Sequence, residues 1–141
     1  MQNNFLKNKK IILSAGASGI GLATVKLLLS QGAFVYTCDI DKKNINKLKK
    51  NPYFNKKLFI SECDASKEDE VKKFYKEVSN KTKIIDGLIN NIGIAGPTSP
   101  LEKIKSEDWE KTLQVNVNSH FYFTKYAIPM IKKSKHGSIV N

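Results

Sequence analysis

The hydrophobic period of this chain switches repeatedly from one that suits a strand to one that suits a helix. Lys10-Ile11-Ile12-Leu13-Ser14 is a short apolar run, followed by glycines and then by Ile20, Ala23, Leu27 and Leu28 at helical spacing, with Thr24 between them. Gly32 stands where a glycine closes a helix. Ala33 to Cys38 reads as a second strand, and Asp41 is expected to cap a short helix carrying Ile45 and Leu48 that Pro52 stops. Leu58 to Glu62 reads as a third strand. Ser66 and Asp69 resemble a capping box before a helix with Val71, Phe74, Tyr75 and Val78 on one face. Asp86 to Asn90 makes a fourth strand. After a loop with Gly93, Gly96, Pro97 and Pro100, Ser106 is expected to cap a long helix running through Trp109, Leu113, Val117, Phe121 and Tyr126, bent near Pro129. Ser138-Ile139-Val140-Asn141 starts like a fifth strand. The order βαβαβαβαβ implies a parallel sheet with helices on both faces, and right-handed crossovers make it doubly wound.

A chain of 141 residues fits one domain, here residues 1–141. No window of about eighteen apolar residues marks a membrane span, and MQNNFLKNKK leads into no signal-type apolar region. The cytoplasm is the expected compartment. Cys38 and Cys63 suggest neither a disulfide framework nor metal-ligand spacing, so no metal is expected. The formal charge of +11 invites a nucleic-acid reading, but all 24 basic residues are Lys. Arg is the fork that phosphate and guanine recognition favours. A solvated basic surface is expected, with no nucleic-acid or membrane partner.

The loop Ser14-Ala15-Gly16-Ala17-Ser18-Gly19-Ile20-Gly21 joins the first strand to the first helix. In a Rossmann-type three-layer αβα fold this loop lies at the carboxyl edge of the sheet, where free N–H groups at a helix start bind a diphosphate. Glycine lets the backbone approach closely, because no Cβ intervenes. Ala15 stands where a glycine is usual; it is tolerable if its φ stays negative, with Gly16 taking the unusual torsion. Asp39 closes the second strand about twenty residues on, where an acid can accept from a ribose 2′-OH and repel a 2′-phosphate. That favours NAD, with NADP less likely. Taken alone, the loop also fits a ligand-free turn, and Asp39 a helix cap.

These residues resemble the short-chain dehydrogenase/reductase family over the whole chain, matching little more than half of a usual member. The resemblance implies cofactor contacts from Ser14, Gly16, Ser18, Gly19, Ile20, Gly21 and Asp39, with Asp64 and Ala65 of Cys63-Asp64-Ala65 facing the adenine. The motif Asn90-Asn91-Ile92-Gly93 implies that Asn91, Ile92 and Gly93 lie along the cofactor while Asn90 steadies the sheet. Ile92 replaces a usual Ala and could crowd it. Asn116, in Val115-Asn116-Val117-Asn118, matches the asparagine that supports a proton relay. Individually, Asp64 could cap a turn, Asn90 and Asn91 could satisfy turn backbone, and Asn116 could be a solvated helix residue.

The resemblance implies NAD-dependent hydride transfer between a nicotinamide and a small alcohol or carbonyl substrate. It places a catalytic Ser after the fifth strand and a Tyr-x-x-x-Lys pair beyond it. The sequence is expected to stop in or just after that strand, to hold no such pair, and to be inactive alone. His120 and His136 are expected to be ordinary helix and helix-end residues. A homo-oligomer or a complementing C-terminal half would supply partners. The alternative is a non-catalytic dinucleotide-binding module or subunit.

Overall fold

The alternation becomes a five-stranded parallel sheet in a computed structural model that describes residues 4–52 and 56–141. Its strands are β1 (Lys10–Ser14), β2 (Phe34–Asp39), β3 (Leu58–Glu62), β4 (Gly87–Ile89) and β5 (Ser138–Val140), in the order β3-β2-β1-β4-β5. The helices are α1 (Gly19–Ser30), α2 (Lys42–Lys49), α3 (Glu68–Ser79), α4 (Ser106–Leu113) and α5 (Ser119–Ile131). The chain builds outward from β1 through β2 to β3, then returns to lay β4 on the other side of β1. That reversal opens a crevice above the carboxyl ends of β1 and β4, the position where doubly wound sheets hold ligands.

Strand residues alternate between the two faces, and the core divides accordingly. Ile11, Leu13 and Val35 pack with Val25 and Leu28 of α1 on one face. Ile45 and Leu48 of α2 continue that layer over Ile60. Ile12, Tyr36 and Leu88 point the other way, into Phe74 and Tyr75 of α3 and Phe123 of α5. The rings of Phe74 and Tyr75 meet edge to face at 5.5 Å, and Tyr75 donates its hydroxyl proton to Phe123 O at 2.8 Å. Among the described residues, no helix is long and apolar enough to cross a membrane.

Several local expectations need correction. The inward stripe of α1 is Gly21, Val25 and Leu28, whereas Ile20 and Leu27 are 79% and 61% exposed. Close packing fixes this rotation: a Cβ on Gly21 would lie 1.9 Å from Ala15 O, so only glycine can face the loop there. The long fourth helix is two helices joined by a π turn at Gln114–Asn118. Its aromatic residues divide, with Phe123 in the core and Phe121 exposed. Asp41 caps α2 as expected, accepting from Lys43 N at 2.8 Å and Asn44 N at 3.1 Å. No capping box forms before α3: Lys67 holds its N-cap position without a side-chain bond, while Asp64 accepts from Ser66 N and Oγ and Glu70 accepts from Asp64 N at 2.7 Å. Ser106 is the first residue of α4 rather than its cap. Lys105 holds the N-cap position without a side-chain bond, and Glu107 and Asp108 supply negative charge to the first turn.

Candidate functional site

A cavity of about 820 Å³ opens at the carboxyl edge of the sheet. Ser18, Gly19, Ile20, Gly21, Asp39, Asp64, Ala65, Asn91, Ile92 and Gly93 all line it, so most of the sequence-derived set meets in one place. Its size is that of a site for a sizeable organic ligand.

The mouth of α1 forms one wall. Ser18 is its N-cap, yet the side chain makes no capping bond, and the first turn carries no acidic residue. The helix start therefore lacks an anion of its own, while its first amides have no intrahelical partners. Gly19 has φ +51° and open space where a side chain would be. Gly16 and Ser14 do not line the cavity. They hold the loop in place instead. A Cβ on Gly16 would fall 2.1 Å from Thr37 Oγ1, which itself donates to Leu13 O at 2.6 Å. Ser14 is fully buried, and its Oγ accepts from Asn91 N at 3.0 Å.

The torsion expected at Gly16 falls on Ala15, at φ +57°. The physical reason lies in its carbonyl. Asn91 Nδ2 donates to both Ser14 O and Ala15 O, at 3.1 and 3.0 Å, so the loop is pinned to the end of β4. Asn91 thus contributes a clamp as well as part of the wall.

Asp39 is 8% exposed and faces the same wall. Its Oδ2 accepts from Ala17 N at 2.9 Å and its Oδ1 from Asp41 N at 3.1 Å. The carboxylate fastens the glycine loop to the β2–α2 turn, and each oxygen keeps acceptor capacity for a ligand. Burial works to raise the Asp64 pKa, but bonds from Ser66 and the Lys67 ammonium, 3.3 Å away, outweigh it and hold the carboxyl below its ordinary value.

Asn116 lies outside the cavity, in the π turn. Its Oδ1 accepts from Ile94 N and its Nδ2 donates to Ile94 O, both at 2.8 Å. One helical turn later, a His120 ring nitrogen sits 2.9 Å from Ile92 O, so it donates there. The two side chains fix the loop after β4, and the π turn aims them at it, a recurring use of such turns. His120 is therefore more than the ordinary helix residue expected. Ile92 packs partly against the core and also lines the cavity. Sequence reasoning also missed Cys38, Ile40, Cys63, Ser66, Ile94, Lys111 and Val115 as lining residues. Most adjoin residues it found, whereas nothing in the sequence singled out Lys111.

Among the described residues, no tyrosine lines the cavity. The expectation that the chain contains no Tyr-x-x-x-Lys spacing is wrong, because Tyr53 and Lys57 have it. Tyr53 lies outside the described residues. Lys57 precedes β3 at the amino edge of the sheet, where it donates to Gly32 O at 3.0 Å and lies over the Phe34 ring. That edge is opposite the cavity, so the spacing does not place a catalytic pair there. Among the described residues, no group of three or more His, Cys, Asp or Glu side chains could hold a metal ion.

The sequence profile of the short chain dehydrogenase family matches residues 9–141. The chain belongs to that family. It is 34% identical over 137 residues to the 3-oxoacyl-[acyl-carrier-protein] reductase FabG of Thermotoga maritima, covering 96% of this chain and 55% of the relative. It is also 34% identical to a 2,5-dichloro-2,5-cyclohexadiene-1,4-diol dehydrogenase of Sphingobium indicum, covering 96% and 54%. Among solved structures, the Thermoplasma acidophilum aldohexose dehydrogenase superimposes with a TM-score of 0.81 at 27% identity, covering 98% of this chain and 50% of that one. An Escherichia coli short chain dehydrogenase complexed with NADPH gives 0.89 at 20% identity, with 99% and 60% covered, and shows the shared fold. This short-chain dehydrogenase chain spans about half the length of the curated relatives it matches. Its family is one of oxidoreductases that bind nicotinamide dinucleotides.

Proposed function

We propose that this chain is the cofactor-binding part of an NAD-dependent oxidoreductase acting on a small alcohol or carbonyl compound. The observation that carries the reading is the uncapped, acid-free mouth of α1 beside the Asp39 carboxylate in one cavity. A bound dinucleotide would supply the hydride acceptor or donor. Ser18, Gly19, Ile20 and Gly21 would offer amides and a hydroxyl to its diphosphate. Asp39 would accept from the adenosine ribose, and Asp64 and Ala65 would flank the adenine. Gly93 would leave room along the strand-end wall, and Asn91 and Ile92 would complete it.

Asn116 would act through position, holding Ile94 and hence the loop on which the nicotinamide end rests. Its part in a proton relay belongs to the same proposal. Because no tyrosine among the described residues lines the cavity, these 141 residues are expected to bind cofactor without turning over alcohols. The same observation favours a binding module that works with a separate catalytic segment as the second reading.

Selectivity should follow charge. A 2′-phosphate beside Asp39 meets a repulsion of about 1–3 kcal/mol, roughly 10- to 100-fold in affinity. Calorimetric titration with NAD and NADP tests this, with Asp39→Asn as the variant that removes the charge and keeps one acceptor oxygen. NAD should bind more tightly, and the variant should narrow the gap. Tighter NADP binding would remove the NAD assignment, and no heat with either dinucleotide would remove the binding reading itself.

A further inference from the structure

The cavity has a second kind of chemistry on its floor. Cys38, in β2, and Cys63, just beyond β3, both line it, and each is 1% exposed. They belong to the same buried cluster, on the sheet face covered by α3 and α5. The pairing of β2 with β3 sets their side chains beside each other on that face. Their backbones are tied to the site as well: Cys38 O accepts from Gly16 N and Cys63 N donates to Asp39 O, both at 3.0 Å.

The register decides what this pair can do. Cys38 pairs with Ser61, so Cys63 stands two residues further along the neighbouring strand. Ideal strand spacings put such a diagonal pair of Cα atoms about 8 Å apart. A disulfide closes only when Cα atoms lie within about 7 Å, so bridging these two would require the strand ends to move. A metal ion seated between the sulfurs requires no such closure. Thiolates select soft metals. The hydrogen bond to Cys63, together with burial, holds the Cys38 thiol well above its ordinary pKa. An ion bound by two thiolates displaces the thiol protons as it enters.

We propose that Cys38 and Cys63 form a two-coordinate thiol site, entered from the dinucleotide cavity, for a thiophilic closed-shell divalent cation of the mercury(II) type. Two S–H bonds break and two S–metal bonds form. Two protons leave to solvent and no electron is transferred. The product carries no net charge, which suits a pocket floor where a buried charge would be costly. A dinucleotide occupying the cavity would cover the entrance, so cation entry and dinucleotide binding should be mutually exclusive.

The test uses the 141-residue protein and mercuric chloride. Native mass spectrometry should show one mercury per chain with the loss of two protons, and mercury X-ray absorption should show two sulfur neighbours. That second measurement needs no variant. Cys38→Ala and Cys63→Ala, checked for folding by circular dichroism, should each lower affinity by more than the roughly 10–100-fold that loss of an outer-shell partner costs. Prior saturation with whichever dinucleotide the chain binds should slow uptake. Two mercury ions per chain, a single sulfur neighbour, or unchanged affinity in both variants would overturn the site. So would ready formation of a Cys38–Cys63 disulfide under mild peroxide, because the register argument forbids it in the folded chain. Uptake at an unchanged rate in the dinucleotide-saturated protein would overturn the shared entrance.

Discussion

Two alanines two positions apart in the glycine loop should respond to glycine with opposite signs. Ala15 has φ +57°, a torsion that costs an L-residue about 1–2 kcal/mol. Ala15→Gly removes that strain. Against it stand about 0.4–1 kcal/mol of extra freedom in the unfolded chain and part of the ~0.8 kcal/mol for one half-buried methyl. The balance is a stabilisation of about 0.5 kcal/mol. Ala17 is 3% exposed, packs against Ile45 and Leu48, and has an ordinary negative φ. Ala17→Gly gains no strain relief and loses both the methyl and the chain stiffness, a cost of about 1.5 kcal/mol. Its amide bond to Asp39 survives, because the backbone donates it. The two variants should thus differ by about 2 kcal/mol. With an unfolding entropy near 0.3 kcal/mol/K for 141 residues, that is roughly 6–7 °C in Tm. Thermal unfolding by circular dichroism, at matched protein concentration, reads the difference directly. If Ala15→Gly melts as low as Ala17→Gly, the strain assigned to Ala15 does not exist and the account of the loop fails.

Other outcomes follow from the same geometry. Gly21→Ala should destabilise by about 1–3 kcal/mol through overpacking, because its Cβ would meet Ala15 O at 1.9 Å and Asn91 Nδ2 at 2.7 Å. Gly19→Ala, with open space but φ +51°, should cost only about 1 kcal/mol, and denaturant unfolding of the pair would expose a reversed order. Asp86 is partly buried, which opposes ionisation, but Lys10 N at 2.9 Å, Ser134 Oγ at 2.8 Å and the nearby Lys9 hold its pKa below the usual carboxylate value. A depressed folded pKa gives stability that is present above the unfolded value of about 3.9 and lost as pH falls through the folded one. Asp86→Asn should therefore weaken the protein at pH 7 and flatten the acid limb of its stability profile; an unchanged limb would exclude Asp86 from acid unfolding. Asn116→Leu should loosen the loop after β4, seen as faster hydrogen exchange at Gly93 to Ile94, while leaving β1 and β2 protected.

The sequence by itself determined the type and order of the strands and of the first three helices, because period and chain punctuation are local properties. It determined the cap at Asp41, where donor and acceptor lie two and three residues apart. It also located the cavity, since loops after parallel strands must gather at one edge. Tertiary structure alone decided how these parts face one another. Gly21, rather than Ile20 or Leu27, turns inward because of an atom six residues back in an adjoining loop. Asn91 holds Ser14 and Ala15 across 77 and 76 residues of chain, and that clamp accompanies the αL torsion at Ala15 instead of Gly16. Cys38 and Cys63, unremarkable in spacing, become a pair only when β2 and β3 come into register. Such contacts depend on rotation, register and crossover hand, which are set when distant surfaces pack and which no short window of sequence encodes.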